Sequence, residues 1–137
     1  MKRRDFIATA AAAMTLPGIA QAFVGKQYTP GLVQKHLDAG DTVFVDFYTS
    51  WCSTCAAQGR TISALLGANP KYEENIVFIQ VDWDQHSRSK LARDLKIPRR
   101  STLVALKGDQ ELGRIVAGTS RKQIQGLLDT ALGAAMA

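Results

Sequence analysis

The chain of 137 residues contains two cysteines, Cys52 and Cys55, with Ser53 and Thr54 between them. Cysteines at this spacing can trade electrons as a dithiol–disulfide couple, supply half of a tetrahedral metal site, or form a small structural bridge. A structural bridge here would close a tiny loop and constrain little of the unfolded chain. A zinc site needs two more ligands. The only histidines, His36 and His86, are remote in sequence and have no ligand-like neighbours, so no metal is expected. Two-electron redox chemistry is the favoured reading. It needs no separate cofactor, because the Cys52–Cys55 disulfide itself carries the electrons.

That chemistry depends on the elements around the pair. Thr42-Val43-Phe44-Val45-Asp46-Phe47-Tyr48 is short, β-branched and aromatic, which predicts a buried strand. A helix is predicted from just after Cys52 to about Leu66, with Ile62, Leu65 and Leu66 on its apolar side. The first cysteine then lies at a helix N-terminus, where free N–H groups and the helix dipole stabilise a thiolate. Such a site lowers a thiol pKa from ~8.5 toward ~3.5–7.5, and the thiolate is the species that attacks disulfides. The second cysteine lies one turn on, placed to resolve a mixed disulfide. Asp46, if buried in the strand, has a raised pKa and serves as acid or base. The alternation along the strand also allows an edge position with its carboxylate in solvent.

Elsewhere, Thr29-Pro30-Gly31 reads as an N-cap and first helical turn, followed by a helix that Gly40 stops. Gly67 to Asn75 reads as loop. Ile76–Asp82 is a second strand, Ser87–Leu95 a short helix, Thr102–Leu106 a third strand, and Leu112–Ala117 a fourth after a Gly108-Asp109 turn. Ser120 caps a last helix with Ile124, Leu127, Leu128 and Leu132 toward the core. Strands alternating with helices pair in parallel, and the final two, joined by a tight turn, pair antiparallel. The fold class is therefore α/β, a mixed central sheet with helices on both faces.

The run Val45-Asp46-Phe47-Tyr48-Thr49-Ser50-Trp51-Cys52-Ser53-Thr54-Cys55 resembles the active-site strand and turn of the thioredoxin family. The resemblance extends over almost all of the chain after the leader described below. It implies a thioredoxin-like fold and thiol–disulfide exchange, with Cys52 as nucleophile and Cys55 as resolving thiol. It also implies that Asp46 moves protons to and from Cys55. Trp51 would shield the sulfurs, or simply pack. The sequence departs from the family in places. Ser53-Thr54 replaces the common Gly-Pro dipeptide, which tunes the potential. Gln80 stands where some members have a lysine, and Arg60 replaces the helix-kinking proline. The family's cis-proline, in a loop that binds the substrate backbone, corresponds to Ser101 in Ile97-Pro98-Arg99-Arg100-Ser101-Thr102. A trans peptide is expected before Ser101, since a cis bond without proline is costly. Arg100, Ser101 and Thr102 are the expected substrate-binding residues. Arg100 either lies near the Cys52 thiolate, lowering its pKa and attracting acidic partners, or is a solvated surface residue like Arg99.

The first residues read as a leader. Lys2-Arg3-Arg4 precedes a weakly apolar stretch, Ala8 to Leu16, then Pro17-Gly18 and the small-residue site Ala20-Gln21-Ala22. This is the plan of a secretory signal, and Arg3-Arg4 resembles a twin-arginine signal. Residues 1–22 are thus expected to be removed, leaving a thioredoxin-like domain over 23–137 in the periplasm. Removal of Lys2, Arg3, Arg4 and Asp5 lowers the net charge from +5 to +3. The remaining basic residues are scattered without interleaved aromatics, so no nucleic-acid partner is expected. The short connections leave no room for an inserted helical domain or for an extra segment after the active-site helix. The expected protein is a minimal, monomeric reductant of disulfides in exported proteins, recharged by a membrane thiol donor. The alternatives are a disulfide oxidase or isomerase, and a non-catalytic binding module on the same fold.

Overall fold

The computed structural model describes residues 25–137. The expected leader, and the boundary after Ala22, lie outside the described residues. A five-stranded sheet is built from β1 (Lys26–Gln27), β2 (Thr42–Tyr48), β3 (Ile76–Asp82), β4 (Thr102–Lys107) and β5 (Gln110–Val116). Its order is β1-β3-β2-β4-β5. β2 pairs parallel with β3 and antiparallel with β4, and the hairpin partners β4 and β5 are antiparallel. Two residues of β1 extend the sheet beside β3, a strand too short to leave a periodic signal in the sequence.

Around the sheet lie α1 (Leu32–Asp38), α2 (Ser53–Ala68), α3 (Lys71–Asn75), α4 (Trp83–His86), α5 (Lys90–Asp94) and α6 (Arg121–Met136). The strands alternate their side chains between two cores. Phe44, Phe78, Leu103 and Ala105 face α2, α3 and α6, joining Ile62, Leu65, Ile124 and Leu128. Val43, Val45, Phe47, Ile79 and Val104 face the other way, onto Val33 of α1 and Ala92 of α5. Helices thus cover both faces, and β2 is buried between two neighbours. Truncating a fully buried residue such as Phe44 to alanine costs ~3–5 kcal/mol.

Several local expectations need correction. Gly31, not Thr29, precedes α1: its φ of 87° suits glycine, and the Thr29 carbonyl instead accepts from Leu32 N at 3.0 Å to close a turn. The stretch expected as loop, Gly67 to Asn75, begins with the last residues of α2 and ends with the short helix α3. The expected helix over Ser87–Leu95 is two short helices, with Ser89 capping the second through Ala92 N at 3.2 Å. Ser120 caps α6 as expected, accepting from Gln123 N at 3.3 Å.

Candidate active site

Cys52 is itself the N-cap of α2. Its backbone is extended (φ −90°, ψ 116°), and its sulfur accepts from Cys55 N at 3.1 Å, the bond a capping serine would make. Cys52 N donates back to Thr49 O at 3.4 Å, fixing the turn between β2 and α2. Both cysteines are reduced and buried. Trp51 is 61% exposed and forms the rim beside them. Its indole N–H donates to Asp84 Oδ2 at 2.9 Å, and the Arg100 guanidinium lies 4.4 Å above the ring.

The loop before β4 supplies the opposite wall. Ser101 Oγ is 3.2 Å from Cys52 Sγ and 3.0 Å from Cys55 Sγ. No cis peptide occurs among the described residues, so the bond before Ser101 is trans; Ser101 instead takes a left-handed φ of 65°. Arg100 lies near enough to the Cys52 sulfur to help favour its thiolate. Of the three residues expected to bind substrate, only Arg100 comes to the surface. Ser101 and Thr102 are fully buried, and the Thr102 hydroxyl donates to Arg99 O at 2.7 Å. These two shape the loop and the sulfur environment rather than a contact surface.

Asp46 lies on β2, the central strand, and is 2% exposed, which removes the solvent-facing alternative. It shares a cleft of about 260 Å³ with Tyr48, Cys52, Cys55, Gly59 and Gln80. The Gln80 amide bonds the carboxylate, while its oxygen faces Gly25 N at 3.5 Å and Gln27 Nε2 at 3.4 Å. The other carboxylate oxygen, Oδ1, has no hydrogen-bond partner.

The two thiols are unequal. Burial pushes Cys52 up, but hydrogen bonds from the Cys55 thiol, Ser101 and the Cys55 amide, together with the nearby Arg100, outweigh it and bring the group down to about 6. Burial pushes Cys55 up, and its bond to Cys52 pushes it further. Desolvation raises Asp46 to about 7, opposed by the Gln80 bond and aided by the nearby Cys52 charge. The arrangement therefore holds one thiolate near neutral pH, one reserved thiol, and a carboxyl that exchanges its proton in the same range.

Sequence reasoning missed Gln58. It is fully buried in α2, and its Nε2 donates to Ser101 O and Gly118 O, both at 2.9 Å. Its signal was a lone polar side chain among Cys55, Gly59, Ile62 and Leu66 on the buried face of the helix. The histidines stay apart from the sulfurs. His36 pairs with Asp41 at 2.8 Å and His86 stacks edge-on against Tyr28. Among the described residues no cluster fit to hold a metal occurs.

Residues 26–130 match the family model described as Thioredoxin. The chain belongs to the thioredoxin family. It is 32% identical over 97 residues to "Thioredoxin Asp f 28" of Aspergillus fumigatus, covering 71% of this chain and 84% of that one. It is 35% identical over 68 residues to "Thioredoxin-like protein CITRX, chloroplastic" of Oryza sativa subsp. indica, half of this chain but 33% of that longer relative. The crystal structure of Malassezia sympodialis thioredoxin superposes with a TM-score of 0.62 at 22% identity, covering 82% of this chain and 97% of that one. The fold expectation, a mixed sheet between helices, is borne out. With Cys52 and Cys55 in the family's positions, the protein is a thiol–disulfide oxidoreductase of the thioredoxin type, a family that works without an added cofactor.

Proposed function

We propose that this protein is an exported reductant of protein disulfides, acting in the periplasm and recharged by a membrane thiol donor. Attack begins with the Cys52 thiolate, which bonds one sulfur of the substrate disulfide; the other sulfur leaves as a thiolate and takes up a proton. Cys55 then gives its proton to Asp46 and bonds Cys52 Sγ. The mixed disulfide breaks, the second substrate thiolate departs, and the Cys52–Cys55 pair, now a disulfide, has given two electrons to the substrate. A dithiol donor must return them, because an exported dithiol would otherwise stay oxidised. Arg100 and Trp51 form the rim that meets the substrate, with Arg100 favouring acidic segments.

The observation that carries the reductant reading is the shortness of the connections: among the described residues only α3 lies between α2 and β3, and only α4 and α5 lie between β3 and β4, which leaves no inserted helical domain. The lowered Cys52 thiol supplies the attacking thiolate. Export rests on the leader pattern of residues 1–22.

The test is the reduction potential of the Cys52–Cys55 pair, measured by equilibration with glutathione buffers. A value near about −270 mV means a reductant that needs an electron supply. A value near about −120 mV means a disulfide donor and overturns the direction.

A further inference from the structure

Ser101 reaches both sulfurs with one hydroxyl, at 3.2 and 3.0 Å. A hydroxyl carries one hydrogen, so it donates to only one sulfur at a time. The residue is fully buried and holds a left-handed φ of 65°, uncommon for anything but glycine. Such a conformation persists where its surroundings impose it, and here they do. Ser101 N donates to Phe47 O at 2.7 Å, and its carbonyl accepts from Ala117 N at 2.8 Å and from Gln58 Nε2 at 2.9 Å. The backbone is tied on three sides, and the hydroxyl is left to serve the sulfurs.

We infer that Ser101 is a catalytic residue whose hydroxyl donates to whichever sulfur bears the negative charge, Cys52 during attack and Cys55 during resolution, with Gln58 as the residue that positions it. The inference rests on dithiol exchange at this pair and not on the direction of electron flow. In the reduced protein the O–H points to the Cys52 thiolate. When Cys52 Sγ bonds the substrate sulfur, its charge passes to the leaving thiolate and the hydroxyl is released. When Cys55 loses its proton to Asp46, the O–H turns to Cys55 Sγ and stays there until the Cys52–Cys55 bond forms and the substrate sulfur departs. The serine keeps its own proton throughout. The other groups facing the sulfurs are fixed in their roles: Arg100 favours the Cys52 thiolate, the Asp46 charge opposes it, and the Cys55 N–H points at Cys52. Ser101 alone among these is shared by both sulfurs through its side chain.

Ser101→Gly in the full chain tests this, because glycine adopts a φ of 65° without strain and the hydroxyl is lost with its Cβ. The Cys52 thiolate is titrated by its ultraviolet absorbance, with the midpoint expected to rise by about one unit, a tenfold loss of thiolate below it. Ellman's reagent reads the two steps separately, since one coloured anion is released on attack by Cys52 and a second on resolution by Cys55. Both releases are expected to slow by about five- to tenfold. Gln58→Leu keeps the hydroxyl but removes its tether, and is expected to shift the titration the same way by less. An unmoved Cys52 titration in folded Ser101→Gly overturns the inference, and slowing of the first release alone overturns the sharing. Should the glycine variant not fold, Ser101→Ala carries the same two measurements. A potential that contradicts the proposed reductant leaves both readouts intact, so the two ideas fail separately.

Discussion

Asp46 is the group whose burial has the largest calculable consequence. Its carboxyl titrates at about 7 in the folded protein against 3.8 as the unperturbed value. At about 1.4 kcal/mol per unit, holding the ionised form in this cleft costs ~4 kcal/mol. The sign follows from proton binding. Between these two values the folded state holds the proton more tightly than the unfolded chain, so stability falls as pH rises from about 4 to about 7 and then levels off. Asp46→Asn has no charge to bury and lacks this dependence. The asparagine has its own cost, since the unpartnered position of Oδ1 leaves an amide hydrogen or oxygen unsatisfied, worth ~1–3 kcal/mol. That cost is independent of pH and cancels when two pH values are compared. Urea unfolding of both reduced proteins at pH 5 and pH 8 therefore isolates the carboxylate. The variant is expected to gain ~2–3 kcal/mol relative to wild type between the two conditions. It should also lose the resolving step at low pH and high pH alike, because no base remains for Cys55. If the two proteins lose or gain stability in parallel, Asp46 is not ionising in a dry site and its role as proton acceptor goes with it.

Three further outcomes can be checked directly. Arg100→Ala removes one of the groups that favour the Cys52 thiolate, so the pH profile of iodoacetamide alkylation should move upward, by less than in Ser101→Gly; an unmoved profile refutes the electrostatic role of Arg100. Gly118→Ala places a Cβ 2.8 Å from Ile115 Cγ2 and 2.9 Å from Gln123 Oε1, and its carbonyl is one of the two that hold Gln58. It should destabilise by ~1–3 kcal/mol in urea and raise the Cys52 titration midpoint. Replacing Arg3-Arg4 with Lys-Lys should block export, read as retention of the uncleaved protein inside the cell, and normal export would refute the twin-arginine route.

What was legible in the sequence was whatever local pattern decides. The apolar run Thr42 to Tyr48, the cysteines after it and the serine before the last helix each carry their own physical reason, and the structure agrees on all three. Asp46 was ambiguous because a strand's alternation says which residues share a face but not whether that face is covered. The answer came from the start of α2, whose Cys55, Ala56 and Gly59 line the cleft that holds it. Strand β1 was invisible because its two residues are strand only by pairing with Ile79 and Gln80. Helix α3 hides behind Asn69-Pro70, a pair that reads as a breaker, whereas Pro70 sits in helical conformation as the N-cap. Gln58 and the conformation of Ser101 escaped for a common reason. Each is defined by partners more than forty residues away in sequence, and no periodicity encodes such a distance.

The division of labour between the two thiols follows from one turn of helix. Cys52 stands at the N-cap, where amide hydrogen bonds and Arg100 are within reach; Cys55 stands inside the first turn, where its own N–H is spent on Cys52 and burial dominates. Chemically identical groups are thus driven apart, one toward thiolate and one toward thiol, by position alone. This separation would stall the reaction if it were rigid, because Cys55 must in turn become the nucleophile. Two features relieve it. Asp46, raised to about 7, can take the proton near neutral pH, and a neutral hydroxyl between the sulfurs can follow the charge from one to the other. A proline at position 101 would give the loop shape but no hydrogen to donate. In this chain the serine, locked by Gln58 and by the backbone of β2, puts a donor there, so the loop that shapes the site also acts on the sulfurs.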